Sequence, residues 1–109
     1  MQDVTDLRVY QHSMELLNKI NLFLDQLPKK DYGLFHQLVR AARSIPALLA
    51  EGFAKKSSQR DFRNFVVMAM GSSDEVITHL RIANADIQLI EEYKSVSKQL
   101  NRLAQTLRS

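Results

Sequence analysis

Apolar residues recur every three or four positions along nearly the whole chain, and the recurrence is interrupted at three places. Successive helical residues turn by about 100°, so this spacing predicts helices that each carry an apolar side. In residues 7–27, Tyr10, Met14, Leu17 and Leu24 form one apolar line, and Val9, Leu16, Ile20, Phe23 and Leu27 form a second beside it. Together the lines cover about half of the circumference, more than the ~100° stripe of a helix buried on one side. Asp6 is the expected N-cap, and Pro28 with Lys29 and Lys30 ends the run.

Asp31 can cap a second run over residues 31–54, which closes near Gly52. Here Leu34, Leu38, Ala41, Ile45, Leu48 and Leu49 share one face, while Arg40, Ser44, Ala47 and Glu51 stack on the roughly opposite one. Small and pairable residues on that outer stripe suggest that the helix is contacted on both sides. Pro46 lacks an amide hydrogen and would cost about 3 kcal/mol in a straight helix, so a kink is expected there. Lys55-Lys-Ser-Ser58 is the next turn, and Ser58 with Asp61 resembles a capping box that opens a third run over residues 59–84. Phe62, Phe65, Val66, Ala69, Val76 and Leu80 lie on its apolar face, with Ala83 at its end. Gly71-Ser-Ser in mid-run forms helix poorly and is expected where a neighbouring backbone comes close. After a turn over residues 85–89, with Asp86 as a possible cap, Tyr93, Val96, Leu100, Leu103 and Leu107 alternate at three and four in a last run over residues 90–108.

Four such runs joined by short connections predict an all-α fold: a single antiparallel, up-down-up-down four-helix bundle over residues 1–109, kinked at Pro46. The composition agrees, with 45% apolar and 25% charged residues, only three glycines and two prolines, and no low-complexity linker. With no cysteine, disulfides and thiolate metal sites are excluded, which suits a reducing cytoplasm. No apolar run approaches the roughly 18 residues of a membrane span, and no signal-peptide pattern opens the chain, so no membrane contact is expected.

Three stretches carry a further signal: Asp6-Leu-Arg-Val-Tyr-Gln11, then Gln37-Leu-Val-Arg-Ala-Ala-Arg-Ser-Ile-Pro-Ala-Leu-Leu-Ala-Glu-Gly52, then Ala69-Met-Gly-Ser-Ser-Asp-Glu75. In this order they resemble the bacterial four-helix-bundle family that includes proteins encoded within intervening sequences of large-subunit ribosomal RNA genes. The resemblance implies an antiparallel four-helix bundle that assembles as a homopentameric ring. It also extends to the accessory variability factor of diversity-generating retroelements, which implies nucleic acid and a reverse transcriptase as partners. Arg40, Ser44, Glu51, Gly52, Gly71, Ser72 and Glu75 match the family pattern. Leu48 stands where the family usually has asparagine, Val39 where it often has a basic residue, and Tyr10 where it has tryptophan.

The net charge is only +3, so placement matters more than the total. Lys55, Lys56, Arg60 and Arg63 surround the second turn, opposed by Asp61 alone. Lys94, Lys98, Arg102 and Arg108 fall within about 120° of the last helix, which has no acid from Lys94 onward. These are the candidate nucleic-acid contacts; lacking interleaved aromatics, they suit phosphates better than stacked bases. Arg40, Ser44, Glu51 and Glu75 are the candidate subunit interface, with Arg40 paired to Glu51 or Glu75 within a subunit or across copies. Glu75 and His79 are spaced to share a metal, but no Glu-x-x-His pair occurs, so no metal or cofactor is expected. His12, His36 and His79 sit on three different helices, no nucleophile has a base and an orienting group, and no glycine loop cradles phosphate. A non-enzymatic homo-oligomeric scaffold that contacts RNA or DNA is the expected function. The alternative is a protein-interaction adaptor that binds no nucleic acid.

Overall fold

The computed structural model describes residues 3–27 and 31–107. A 3-10 turn, Val4–Asp6, leads into α1 (Arg8–Asp25), followed by α2 (Tyr32–Ala54), α3 (Gln59–Ile82) and α4 (Ile87–Thr106). Local chemistry explains most boundaries. Asp31 accepts a hydrogen bond from the Leu34 amide, Ser58 from that of Asp61, and Asp86 from that of Gln88, each filling an orphan donor at a helix start. α3 ends in a Schellman arrangement. Asn84 adopts the left-handed conformation (φ 53°), the Asn84 amide donates to the Arg81 carbonyl, and that of Ala85 donates to Leu80.

The first boundary differs from expectation. Asp6 does not cap α1; Leu7 holds that position and has no side-chain cap. Asp3 caps the preceding 3-10 turn instead, and Asp6 reaches back to the Asp3 amide to complete a capping box. α4 starts at Ile87, three residues before the expected position, because Asp86 caps it directly. The expected contribution of Arg108 lies outside the described residues.

The helices touch in the cyclic order α1–α2–α3–α4–α1, and among the described residues neither diagonal pair comes close. The α1–α2 and α3–α4 seams therefore occupy opposite sides of the molecule, which measures 45 × 20 × 19 Å. At about 1.5 Å per residue, 24 residues of α3 span about 36 Å, so the helices lie along the long axis. His12 of α1 meets Gln99 of α4, and Lys19 meets Glu92: seven residues up one helix answer seven down the other, so these two run in opposite directions.

The core is drawn from all four helices, with Leu16, Leu38, Ile45, Leu80, Tyr93 and Leu100 among its fully buried members. Pro46 is buried inside α2, which continues as helix on both sides of it. Of the Gly71-Ser-Ser stretch, Ser73 meets a neighbouring backbone, the Tyr93 carbonyl of α4, whereas Gly71 does not; the glycine at a close approach is Gly52. A Cβ on Gly52 would lie 2.7 Å from Phe65 Cβ and 3.1 Å from the Phe62 ring, whereas one on Gly71 would have nothing within 4 Å. Gly71 faces outward, so its missing side chain admits no neighbour within the chain. α1 is covered less completely: Tyr10, Leu17 and Phe23 are half-buried, Met14 is 43% exposed and Leu22 63%. No helix among the described residues is long and apolar enough to cross a membrane.

Candidate nucleic-acid interface

The α3–α4 seam is closed by small polar side chains. Ser73, fully buried, donates from Oγ to the Tyr93 carbonyl at 3.1 Å. Ser97 Oγ lies 2.8 Å from Ser73 Oγ and 2.9 Å from Asp74 Oδ1, and its single proton is shared between them. These bonds fix the level at which the two helices meet. From it, Arg102 lies five residues further along α4, about 7.5 Å, and Arg63 ten residues back along α3, about 15 Å, both toward the α2–α3 turn. Arg63 is eleven residues before Asp74, three turns plus about 20°, so it shares the flank of α3 that adjoins α4.

Arg60 and Arg63 thus adjoin the α3–α4 seam, Lys98 points outward from α4, and Arg102, about 140° around α4 from Ser97 and 60° from Gln99, turns toward α1. All four are exposed, and none has an ion-pair partner within 4 Å among the described residues. Lys94 is the exception, because Glu91, one turn earlier on α4, lies 3.3 Å from its ammonium. Glu91 stands one turn before the acid-free stretch that begins at Lys94. Asp61 sits in the first turn of α3, where the helix dipole favours a carboxylate.

Lys55 and Lys56 occupy the α2–α3 turn and are attached to aromatic rings. The Lys56 ammonium lies 4.0 Å from the Phe53 ring centroid, and that of Lys55 5.0 Å from the Phe65 centroid. Phe53 also meets Phe62 edge to face, at 6.0 Å between centroids. The expectation that aromatics are absent from this cluster is therefore corrected. Phe53 and Phe62 are nevertheless buried and Phe65 is half-buried beneath Lys55, so these rings offer little free surface to a base.

The expected interface residues lie on α2 and α3. Arg40 and Glu51 are exposed on α2, and half-buried Ser44 donates to the Ala41 carbonyl at 2.8 Å. The expected pairing of Arg40 with Glu51 or Glu75 within one subunit does not form among the described residues. Arg40 and Glu51 are eleven residues apart on one helix, about 16 Å, and Glu75 lies 3.3 Å from His79 of its own helix. No group of three or more His, Cys, Asp or Glu side chains able to hold a metal occurs among the described residues.

A polar cluster joins α1 to α4. Gln99 Nε2 lies 2.9 Å from His12 Nδ1, His12 Nε2 lies 3.6 Å from Glu92 Oε2, and Lys19 reaches the same oxygen at 3.2 Å. Burial raises the Glu92 pKa, but the Lys19 ammonium and His12 outweigh it, and the net effect is a lowered value. No local pattern could have revealed these contacts, which link residues 73 to 87 positions apart. Among the described residues the buried Tyr93 hydroxyl has no hydrogen-bond partner, and burial raises its pKa, so it stays neutral.

Four helices around a shared apolar core, with cations gathered outside, define a small all-α bundle. The chain belongs to the 23S rRNA-intervening sequence protein family, whose model matches residues 5–109. No curated protein matches it.

Proposed function

We propose that the protein is a cytoplasmic, non-enzymatic homo-oligomer, a pentamer by resemblance to its family, that contacts RNA or DNA phosphates through the α3–α4 face. The observation that carries this reading is the exposure, without an ion-pair partner among the described residues, of Arg60 and Arg63 on the flank of α3 that adjoins α4 and of Lys98 on the outer side of α4, with Arg102 extending the charge toward α1. Arginine forks and lysine ammoniums suit phosphate oxygens, and Lys55 and Lys56 extend the charge toward the end of the bundle. A handful of phosphate contacts binds weakly, but a ring repeats the face and multiplies the contacts through avidity. Oligomerisation is supported by apolar surface that the single chain leaves uncovered, including Met68 (53% exposed) and Ile82 (66%) on α3. Arg40, Ser44, Glu51 and Glu75 would line that contact, with Arg40 meeting a carboxylate of the neighbouring copy.

A gel-shift titration with structured RNA and with duplex DNA across salt concentrations tests the reading. Affinity should fall steeply with salt, and replacing Lys98 and Arg102 by Gln should flatten the slope by about two, since each phosphate contact adds roughly 0.9. Binding indifferent to salt, or absent at low salt, rejects it. The second reading, an adaptor for a protein partner such as a reverse transcriptase, is favoured by exposed Met14, Tyr32 and Phe35 on α1 and α2. A defined protein complex that survives nuclease treatment and holds no nucleic acid would support it.

A further inference from the structure

Two hollows, of about 330 and 570 Å³, lie end to end along the seam between α1 and α2. Buried Ile20 and Ala42 floor the first, with Met14, Asn18 and Arg43 around them. Leu24 lines the second, with Phe35 (43% exposed) and Tyr32 (68%) beside it and Asp25 at its margin. Unlike the α3–α4 seam, this one is crossed by no side-chain hydrogen bond or ion pair among the described residues. Its charges are polarised. Arg43 stands in the first hollow, and Asp25 lies seven residues past Asn18, about 10 Å along the axis, with Asp31 nearby. Neither Arg43 nor Asp25 has an ion-pair partner within 4 Å among the described residues.

We propose that this seam is a docking groove for an amphipathic helix of a partner polypeptide, one that carries an acidic and a basic residue about two turns apart beside its apolar stripe. A third helix fits the trough between two others by ridges-into-grooves packing. The apolar floor receives the stripe, the flexible Met14 thioether adapts to its shape, and the exposed Phe35 and Tyr32 rings are anchors of the kind that dominate interfaces. The incoming acid pairs with Arg43, and the base pairs with Asp25, so charge fixes the direction of the guest. A phosphate backbone suits the groove poorly, because Asp25 and Asp31 would repel it in the larger hollow. This surface lies on the side opposite the Ser73–Ser97 seam, and the inference does not depend on phosphate binding there.

Fluorescence anisotropy with the full chain tests it. The probe is a labelled synthetic helix of about 16 residues with leucines at i, i+3 and i+7 positions and a Glu and a Lys seven residues apart. It should bind about tenfold more tightly than a version with Gln at both charged positions. Arg43→Glu should erase that preference and restore binding to a probe with Lys in place of Glu, and Phe35→Ser should weaken every probe. Circular dichroism checks that both variants keep their helix content, and Met14→Gln supplies a second variant on the rim. Equal binding of charged and Gln probes, indifference to Arg43→Glu, or no binding at all overturns the proposal. If Arg43→Glu or Phe35→Ser changes the solution mass, the occupant is a second copy of this chain. If an unpaired oligonucleotide displaces the probe, the occupant is nucleic acid. Either outcome sinks the partner helix and leaves the salt test of the α3–α4 face unaffected.

Discussion

The α3–α4 and α1–α2 seams join neighbouring helices of similar length yet are built in opposite ways. Between α3 and α4, Ser73 and Ser97 are small enough to bring the helices together and polar enough to bond across the gap. Between α1 and α2, longer side chains such as Met14 and Asn18 face Val39 and Arg43 without a polar link, and hollows remain. α1 finds its polar partners on α4 instead, through His12, Lys19 and Glu92. The difference teaches that apolar periodicity alone brings helices together, while the size and polarity of a few contact residues decide whether the seam closes. A closed seam presents an outer face of fixed geometry, and an open one leaves room for a guest.

The largest expected effect tests that contrast directly. Leu100→Ala, at a fully buried position of α4, should cost about 2–5 kcal/mol, whereas Leu17→Ala, at a half-buried position of α1, should cost no more than about half as much. Urea unfolding of the two variants checks it, and equal losses would show that α1 is packed as firmly as α4. The two glycines come next. Gly52→Ala should destabilise by about 1–3 kcal/mol, because Phe65 Cβ cannot retreat without moving α3. Gly71→Ala meets open space and should stabilise by about 0.5–1 kcal/mol through helix propensity. Thermal melts should therefore shift in opposite directions.

The smallest effect concerns the α1–α4 link. The Glu92 pKa is lowered in the fold, so the folded state favours its carboxylate. That contribution is fully present above the ordinary carboxylate pKa and is lost as the pH falls through the folded value. Glu92→Gln should consequently be less stable than the parent near neutrality, and the two should converge in acid, as read from denaturation midpoints at several pH values. A difference that grows on acidification would contradict the assignment.

Much of the fold was legible in the chain because helices announce themselves locally. Asp31, Ser58 and Asp86 are capping residues followed by apolar periodicity, and each opens a helix. Asp3 with Asp6 is equally local, yet a single extra turn there moved the start of α1 past the first plausible cap. The candidate site was legible only in part. Arg60, Arg63, Lys98 and Arg102 stood out as two clusters, but nothing between residues 63 and 98 indicates that α3 and α4 pack side by side through Ser73 and Ser97. The same limit applies to Gly52 and Gly71, which look alike in sequence and differ only in what packs beside them.

The sequence by itself determined the four helices, most of their caps and the residues of their apolar faces, since these follow from backbone hydrogen bonding and a 100° turn per residue. Tertiary structure alone decided which seam closed, which glycine met a neighbour, and that His12, Lys19 and Glu92 joined α1 to α4. Those outcomes depend on distances between residues far apart in the chain, and such distances are set when helix faces pack.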